Sequence, residues 1–221
     1  MNIALFYDRM SRLYFKRAMA LLLLGVLLSI LIPGIHIIFY LVMILMGMAF
    51  VSVHLIYAYE VRRSSRGLKR ATAGSENCLV VIRNETSYCF FNFSGRMTAR
   101  VIQRGGVWTL QYENEEALMQ RKGSSVMVSA PFFGRTAFTG DDRLWKDRQG
   151  NRISFEKKGE GWDLSINEDK VCSLIKGKMP VVKQQLFDPA SLLIMFEETD
   201  MALKQIALLF IVLVMEDYFL I

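Results

Sequence analysis

Residues 18–59 read AMALLLLGVLLSILIPGIHIIFYLVMILMGMAFVSVHLIYAY, 42 positions without one Asp, Glu, Lys or Arg. As a single helix the run would be about 63 Å long at ~1.5 Å per residue. The hydrocarbon core of a bilayer is only about 30 Å thick. The run therefore predicts two spans, about residues 13–32 and 35–59, reversing at Pro33-Gly34. Proline has no backbone donor and a fixed φ, and glycine tolerates turn geometry, so the pair suits a sharp reversal.

Charge at the two ends of the run sets an orientation. Arg9, Arg12, Lys16 and Arg17 precede it, and Arg62, Arg63, Arg66, Lys69 and Arg70 follow it. Lys and Arg beside spans are retained on the cytoplasmic side. The expectation is a two-span, multi-pass protein of the cell membrane with both termini cytoplasmic and only the tip outside. A cleaved signal peptide fits poorly, because no small-residue cleavage site follows Ile32 and a second apolar run begins at once.

The formal net charge of +6 invites a nucleic-acid reading, but its distribution argues against one. Residues 1–70 hold nine of the 27 basic residues and only Asp8 and Glu60 among the acids, a net of +7. Residues 71–221 hold 18 basic and 19 acidic residues, a net of −1. The excess sits beside the membrane, where it serves as a topology signal and meets anionic headgroups. No nucleic-acid partner is expected. Cys78, Cys89 and Cys172 are odd in number and form no CxxC pair, so neither a disulfide framework nor a zinc site is indicated. Asn84-Glu85-Thr86 and Asn92-Phe93-Ser94 match the glycosylation sequon, which is idle on the cytoplasmic side.

Beyond the basic stretch the texture is β. Residues 108–113, 152–156 and 162–167 alternate apolar with polar, the mark of strands with one buried face. Turn signals recur at Gly105-Gly106, Gln149-Gly150-Asn151, Gly159-Glu160-Gly161, Asn167-Glu168-Asp169 and Lys176-Gly177-Lys178. About twelve short strands fit between Cys78 and Phe196, which suggests a sandwich or barrel of antiparallel hairpins. Then Thr199-Asp200 opens an apolar run, Ile206–Met215, closed by Glu216-Asp217. Eleven uncharged residues lie between Lys204 and Glu216, about 16 Å of helix, roughly half a bilayer core. A helix that is apolar on every side and too short to span belongs inside protein.

Many antiparallel hairpins ending in a hydrophobic helix resemble the tubby-like superfamily. That superfamily includes the tubby C-terminal domain, the phospholipid scramblases and the plant LURP-one-related proteins. The segment from Arg143 through Asp147, Gly150 and Phe155 is similar to the family's hairpin of aromatic strand, Asp-x-x-Gly turn and returning strand. Residues 200–217 resemble its central helix. The resemblance implies a barrel around that helix over residues 75–221; the membrane hairpin at 1–61 and the basic juxtamembrane linker at 62–74 follow from the apolar run and its flanking charges, and an N-terminal anchor is a departure from the family's animal members. It further implies recognition of phosphoinositide-like headgroups, for which Arg121, Lys122, Arg143, Lys146, Arg148, Lys157 and Lys158 are the candidate contacts.

Catalytic signals are missing. Both histidines, His36 and His54, lie in the apolar run, leaving the β region none for a nucleophile system or a metal. There is no GxSxG, GxGxxG, P-loop or HExxH motif. Adjacent carboxylates at Asp141-Asp142 and Glu197-Glu198 would point to opposite faces of a strand. Gly25 and Ser29, four apart, offer a small face for packing the spans. No enzyme, cofactor or metal is expected. The favoured reading is a membrane-anchored binding module for anionic lipid headgroups or a membrane-protein partner. The alternatives are a lipid-scrambling component and an assembly subunit with a third span at 201–221.

Overall fold

The computed structural model describes residues 1–31, 37–68, 77–84, 86–113, 115–131, 134–141, 143–159, 161–176, 179, 183–184, 186–188, 190–198 and 200–218. The chain divides into two units, Met1–Arg70 and Ala71–Ile221.

The first unit contains two helices, α1 (Ile3–Leu31) and α2 (Ile37–Leu68). Asn2 caps α1, its side-chain oxygen accepting the Leu5 N–H at 2.9 Å. Contacts pair the first half of α1 with the second half of α2. Tyr14 stacks on Tyr57 with centroids 5.6 Å apart, Phe15 lies 5.2 Å from the His54 ring, and Ser11 Oγ is 2.9 Å from His54 Nδ1. His54 therefore has a polar partner, which sequence spacing did not show. Among the described residues one helix is long and apolar enough to cross a membrane, Ile37–Ser65. Its apolar side chains are largely uncovered, as are those late in α1; Ile30 is 72% and Ile37 74% exposed.

Both helices outrun the expected spans. α1 starts ten residues before Leu13 and α2 continues nine residues past Tyr59. The stretch expected to be a linker is thus helical as far as Leu68, with Arg63 paired to Glu60 at 2.8 Å one turn back. Pro33 and Gly34, the expected reversal, lie outside the described residues, as do Lys69 and Arg70. Gly25 is not a close-packing position, since a Cβ there would meet nothing within 4 Å; the Ser29 side chain lies outside the described residues.

The second unit carries twelve strands: β1 (Cys78–Asn84), β2 (Ser87–Asn92), β3 (Met97–Arg104), β4 (Val107–Tyr112), β5 (Glu115–Lys122), β6 (Ser125–Ala130), β7 (Gly134–Asp141), β8 (Leu144–Asp147), β9 (Arg152–Lys158), β10 (Gly161–Ile166), β11 (Asp169–Lys176) and β12 (Leu192–Phe196). Each pairs antiparallel with its sequence neighbours, and β1 pairs with β12 (Leu79 opposite Ile194), closing a barrel. Closure leaves no sheet edge exposed. Turn chemistry drives the hairpins. Asp147 Oδ1 accepts the N–H groups of Gln149 and Asn151, both at 2.8 Å, and Gly150 takes φ 92°. Asn92 and Gly95 repeat the device. Asn92 Oδ1 accepts the N–H groups of Ser94 and Arg96, and Gly95 sits at φ 77°. The sequon at Asn92 is therefore a turn signal.

Helix α3 (Met201–Tyr218) supplies Ile206–Val214, every residue no more than 2% exposed, to a core cluster that draws on all twelve strands. Phe210 meets Phe138 and Trp145 edge-on, with centroids 5.4 and 5.8 Å away. Phe210→Ala is expected to cost about 3–5 kcal/mol by leaving a cavity there. Gly140→Ala should cost about 2 kcal/mol, because a Cβ on β7 would run into the Leu144 carbonyl and Trp145 Cα of β8. Urea midpoints of the two variants check both values. A wild-type midpoint for Gly140→Ala would refute the β7–β8 close approach.

Candidate functional site

Antiparallel closure sorts the hairpins into two rims. The turns β1/β2, β3/β4, β5/β6, β7/β8 and β9/β10 share one end, the upper rim, and the turns between lie at the lower rim. Gln205 near the start of α3 donates to Glu115 at the lower rim, 2.7 Å away. Gln103 at the upper rim donates to Glu216, late in α3, at 3.5 Å. α3 therefore runs from the lower rim to the upper.

Of the seven expected headgroup contacts, the fold brings five together. Arg121 and Lys122 end β5, Arg143 precedes β8, and Lys157 and Lys158 end β9. These hairpins are neighbours in the barrel, so the five residues form one arc on the upper rim. Lys146 lies toward the far end of β8 and Arg148 in the turn after it, so both belong to the lower half. Sequence proximity had grouped them with Arg143, but strand β8 carries the chain across the barrel between them. The lower rim is mixed in charge, with Glu113, Glu116, Asp147, Glu168 and Asp169 among Arg135, Arg148 and Arg152.

Strand periodicity divides the upper-rim residues again. Side chains alternate faces, so a residue two positions beyond a core residue shares its face. Arg83, Gln103, Arg121, Lys157 and Lys176 each lie two residues beyond a core member (Val81, Val101, Met119, Phe155 and Leu174), and Arg143 lies two before Trp145. They occupy inner-face positions around the end of α3. Arg83 sits over the Tyr88 ring at 5.6 Å and Arg143 over Trp162 at 5.5 Å, consistent with that placement. Lys122 and Lys158 fall on the outer face. Sequence reading missed Arg83, Gln103 and Lys176; extending each strand's alternation by one more period would have found them. The segments joining these strands also carry Glu85, Asp142 and Glu160.

On the outer face, Asp163 is mostly buried and gathers partners. Ser173 Oγ donates to it at 2.7 Å, and Lys158 and Lys170 reach it at 3.2 and 3.3 Å. Burial alone would raise its pKa, but the hydrogen bonds from Ser173, Lys158 and Lys170 outweigh burial and hold the carboxyl below its ordinary value. A carboxylate so engaged is a poor base, and the cluster is a clamp across β9–β11. The three thiols are likewise unreactive. Cys78, Cys89 and Cys172 are buried and unbonded, and burial pushes each pKa up. Among the described residues no three His, Cys, Asp or Glu side chains gather as a metal site would require.

In the first unit, Arg9, Arg12, Lys16 and Arg17 all lie on α1, and Arg62, Arg63 and Arg66 on α2. Arg12 pairs with Asp8 at 2.9 Å, and Arg17 lies 5.4 Å from the Tyr14 ring centroid.

The Asp163 clamp gives a pH signature. A carboxyl whose folded pKa is depressed adds stability above its unfolded value of about 3.9 and loses it as pH falls through the folded pKa. Wild-type stability should fall below about pH 4, where Asp163→Asn should show a shallower decline and start about 1–3 kcal/mol lower at neutral pH. Parallel urea melts across acidic pH test this, and identical slopes would rule the clamp out.

No family model, curated protein or solved structure matches this chain.

Proposed function

We propose that this chain is a membrane-anchored, non-catalytic binding module whose upper rim meets anionic headgroups. In this reading α1 and α2 form a hairpin in the bilayer, and the barrel is tubby-like, with α3 as its central helix facing the cytoplasm. The observation that carries the reading is the arc of Arg121, Lys122, Arg143, Lys157 and Lys158 on three adjacent hairpins. Each basic group near an anionic surface contributes about 1 kcal/mol, so several acting together recruit where one would not.

The anchor has its own support. Uncovered leucines and isoleucines on α2 and late α1 form an apolar surface that water does not tolerate at that size. The charge-free part of α1, residues 18–31, is about 21 Å long, shorter than the ~30 Å core. A full span therefore needs Lys16 and Arg17 to reach up to the interface along their aliphatic stems, with Tyr14 beside Arg17 at that level. Burial of Ile206–Val214 leaves that stretch of α3 no face for lipid, which counts against an assembly subunit with a third span at 201–221. Lipid scrambling would need a polar path through the bilayer, which the uncharged stretch of the two helices does not supply.

Residues 71–221 contain a sheet that closes on itself, and they are expected to unfold cooperatively when purified alone. At low salt they should co-sediment with phosphatidylserine vesicles but not with phosphatidylcholine vesicles. Lys122→Glu with Lys158→Glu should weaken that binding about tenfold, as should added salt. Failure to bind anionic vesicles, or equal binding to both kinds, would overturn the proposal. Reporter fusions after Arg66 and after Ile221 should both read cytoplasmic; an external signal at Ile221 would contradict the proposed topology.

A further inference from the structure

We propose that Asp163 is a built-in competitor of the basic arc, an internal anion that holds Lys158 until an anionic headgroup displaces it. The inference rests on the reading of the upper rim as a headgroup site and concerns how that site is regulated.

Lys158 ends β9 at the upper rim, directly across from Gly161 on β10. Asp163 stands two residues farther from the rim, across from Glu156. The Lys158 ammonium lies 3.2 Å from Asp163 Oδ2. Its side chain therefore folds back along the outer face of the barrel, away from the edge where a headgroup would meet it.

Two interactions compete for that ammonium. Asp163 is mostly buried, and its hydrogen bonds hold the carboxyl below its ordinary value, so it is an anion at neutral pH. Two of its partners do not belong to the arc: Ser173 Oγ donates at 2.7 Å and Lys170 lies 3.3 Å away. Lys158 is the most exposed partner, with 63% of its side chain accessible against 40% for Lys170. An exposed ion pair is worth no more than about fivefold in an equilibrium constant. Losing Lys158 strands no buried charge, since Ser173 and Lys170 still engage the carboxylate. One lysine on an anionic surface gains a similar factor, roughly fivefold. The exchange is close to balanced, so either partner can hold the ammonium.

The neighbouring charges leave no surplus cation here. Glu156 faces Asp163 across the strand pair, Glu197 takes Lys170 at 3.6 Å, and the β9–β10 turn carries Glu160. A headgroup must therefore displace a carboxylate from Lys158 rather than fill an empty site. Neutralising Asp163 should strengthen headgroup binding even though Asp163 lies off the rim. Removing Ser173 Oγ, which changes no charge, should weaken binding, because the carboxylate then depends more on Lys158.

The full chain would be placed in phosphatidylcholine nanodiscs with a rising fraction of phosphatidylserine carrying pyrene on one acyl chain. All three tryptophans, Trp108, Trp145 and Trp162, lie in the barrel unit, so energy transfer to pyrene reads phosphatidylserine gathered there. Phosphatidylcholine with the same label is the blank. Asp163→Asn should bind about fivefold tighter than wild type and Ser173→Ala about threefold weaker. The gain in Asp163→Asn should vanish in a Lys158→Gln background and persist in a Lys122→Gln background. Glu197→Gln, which changes net charge equally, should stay within about twofold of wild type. Circular dichroism confirms folding, and Ser173→Ala carries the test where Asp163→Asn does not fold. An unchanged affinity in Asp163→Asn, an equal gain in Glu197→Gln, or a gain that survives Lys158→Gln overturns the competitor and leaves the headgroup reading standing. No preference for phosphatidylserine in either wild type or Asp163→Asn overturns both.

Discussion

Closure of the sheet between Leu79 and Ile194 is the constraint on which the rest depends. Eight strands make an interior that their own side chains just fill, and twelve make one that they cannot. An open interior lined by Val81, Phe90, Leu110 and Ile153 would have to hold water against apolar walls. The nine consecutive buried residues of α3 join the same core cluster as those walls. That burial explains a helix apolar on every side, a pattern that otherwise points to a membrane. It also explains why polar side chains on α3 wait until its ends, where Gln205 and Glu216 reach opposite rims.

Because the interior is committed to packing, chemistry is displaced to the rims. The alternation that points Phe155 into the core puts Lys157, two residues on, at the same face of the upper rim. Glu156 and Lys158, on either side of Lys157, face outward, and Lys158 joins Asp163, Ser173 and Lys170 on a different surface. One strand thus serves three environments in six residues. Buried cysteines with raised pKa values are poor nucleophiles, and a carboxylate already engaged by lysines is a poor base.

The apolar length of residues 18–59 was legible from composition alone, and the structure carries it as helix on either side of residues 32–36, with Ile37–Ser65 long and apolar enough to cross a membrane. The strand count and the bounds of β4, β8, β9, β10 and α3 were nearly as legible, since period-two alternation and Asp-x-x-Gly turns are local signals. The turn at Asn92 was passed over because its amide does the work of Asp147 under a sequence that also reads as a sequon. The extension of α2 to Leu68 was hidden because charged residues in a helix and in a linker look alike until Arg63 is seen against Glu60.

The sequence by itself determined the periods, the turns, the apolar lengths and the sign of charge beside the apolar run, since each follows from neighbours a few residues apart. Only the tertiary structure decided which rim each charge occupies, and therefore that Arg143 stands with Arg121 and Lys157 and apart from Lys146 and Arg148. It also decided that Tyr88 lies across from Arg83, beside a carboxylate from residue 216. The reason is closure. In a sequential antiparallel barrel, residues a few positions apart along a strand are carried to opposite ends, while residues tens of positions apart meet at the same one.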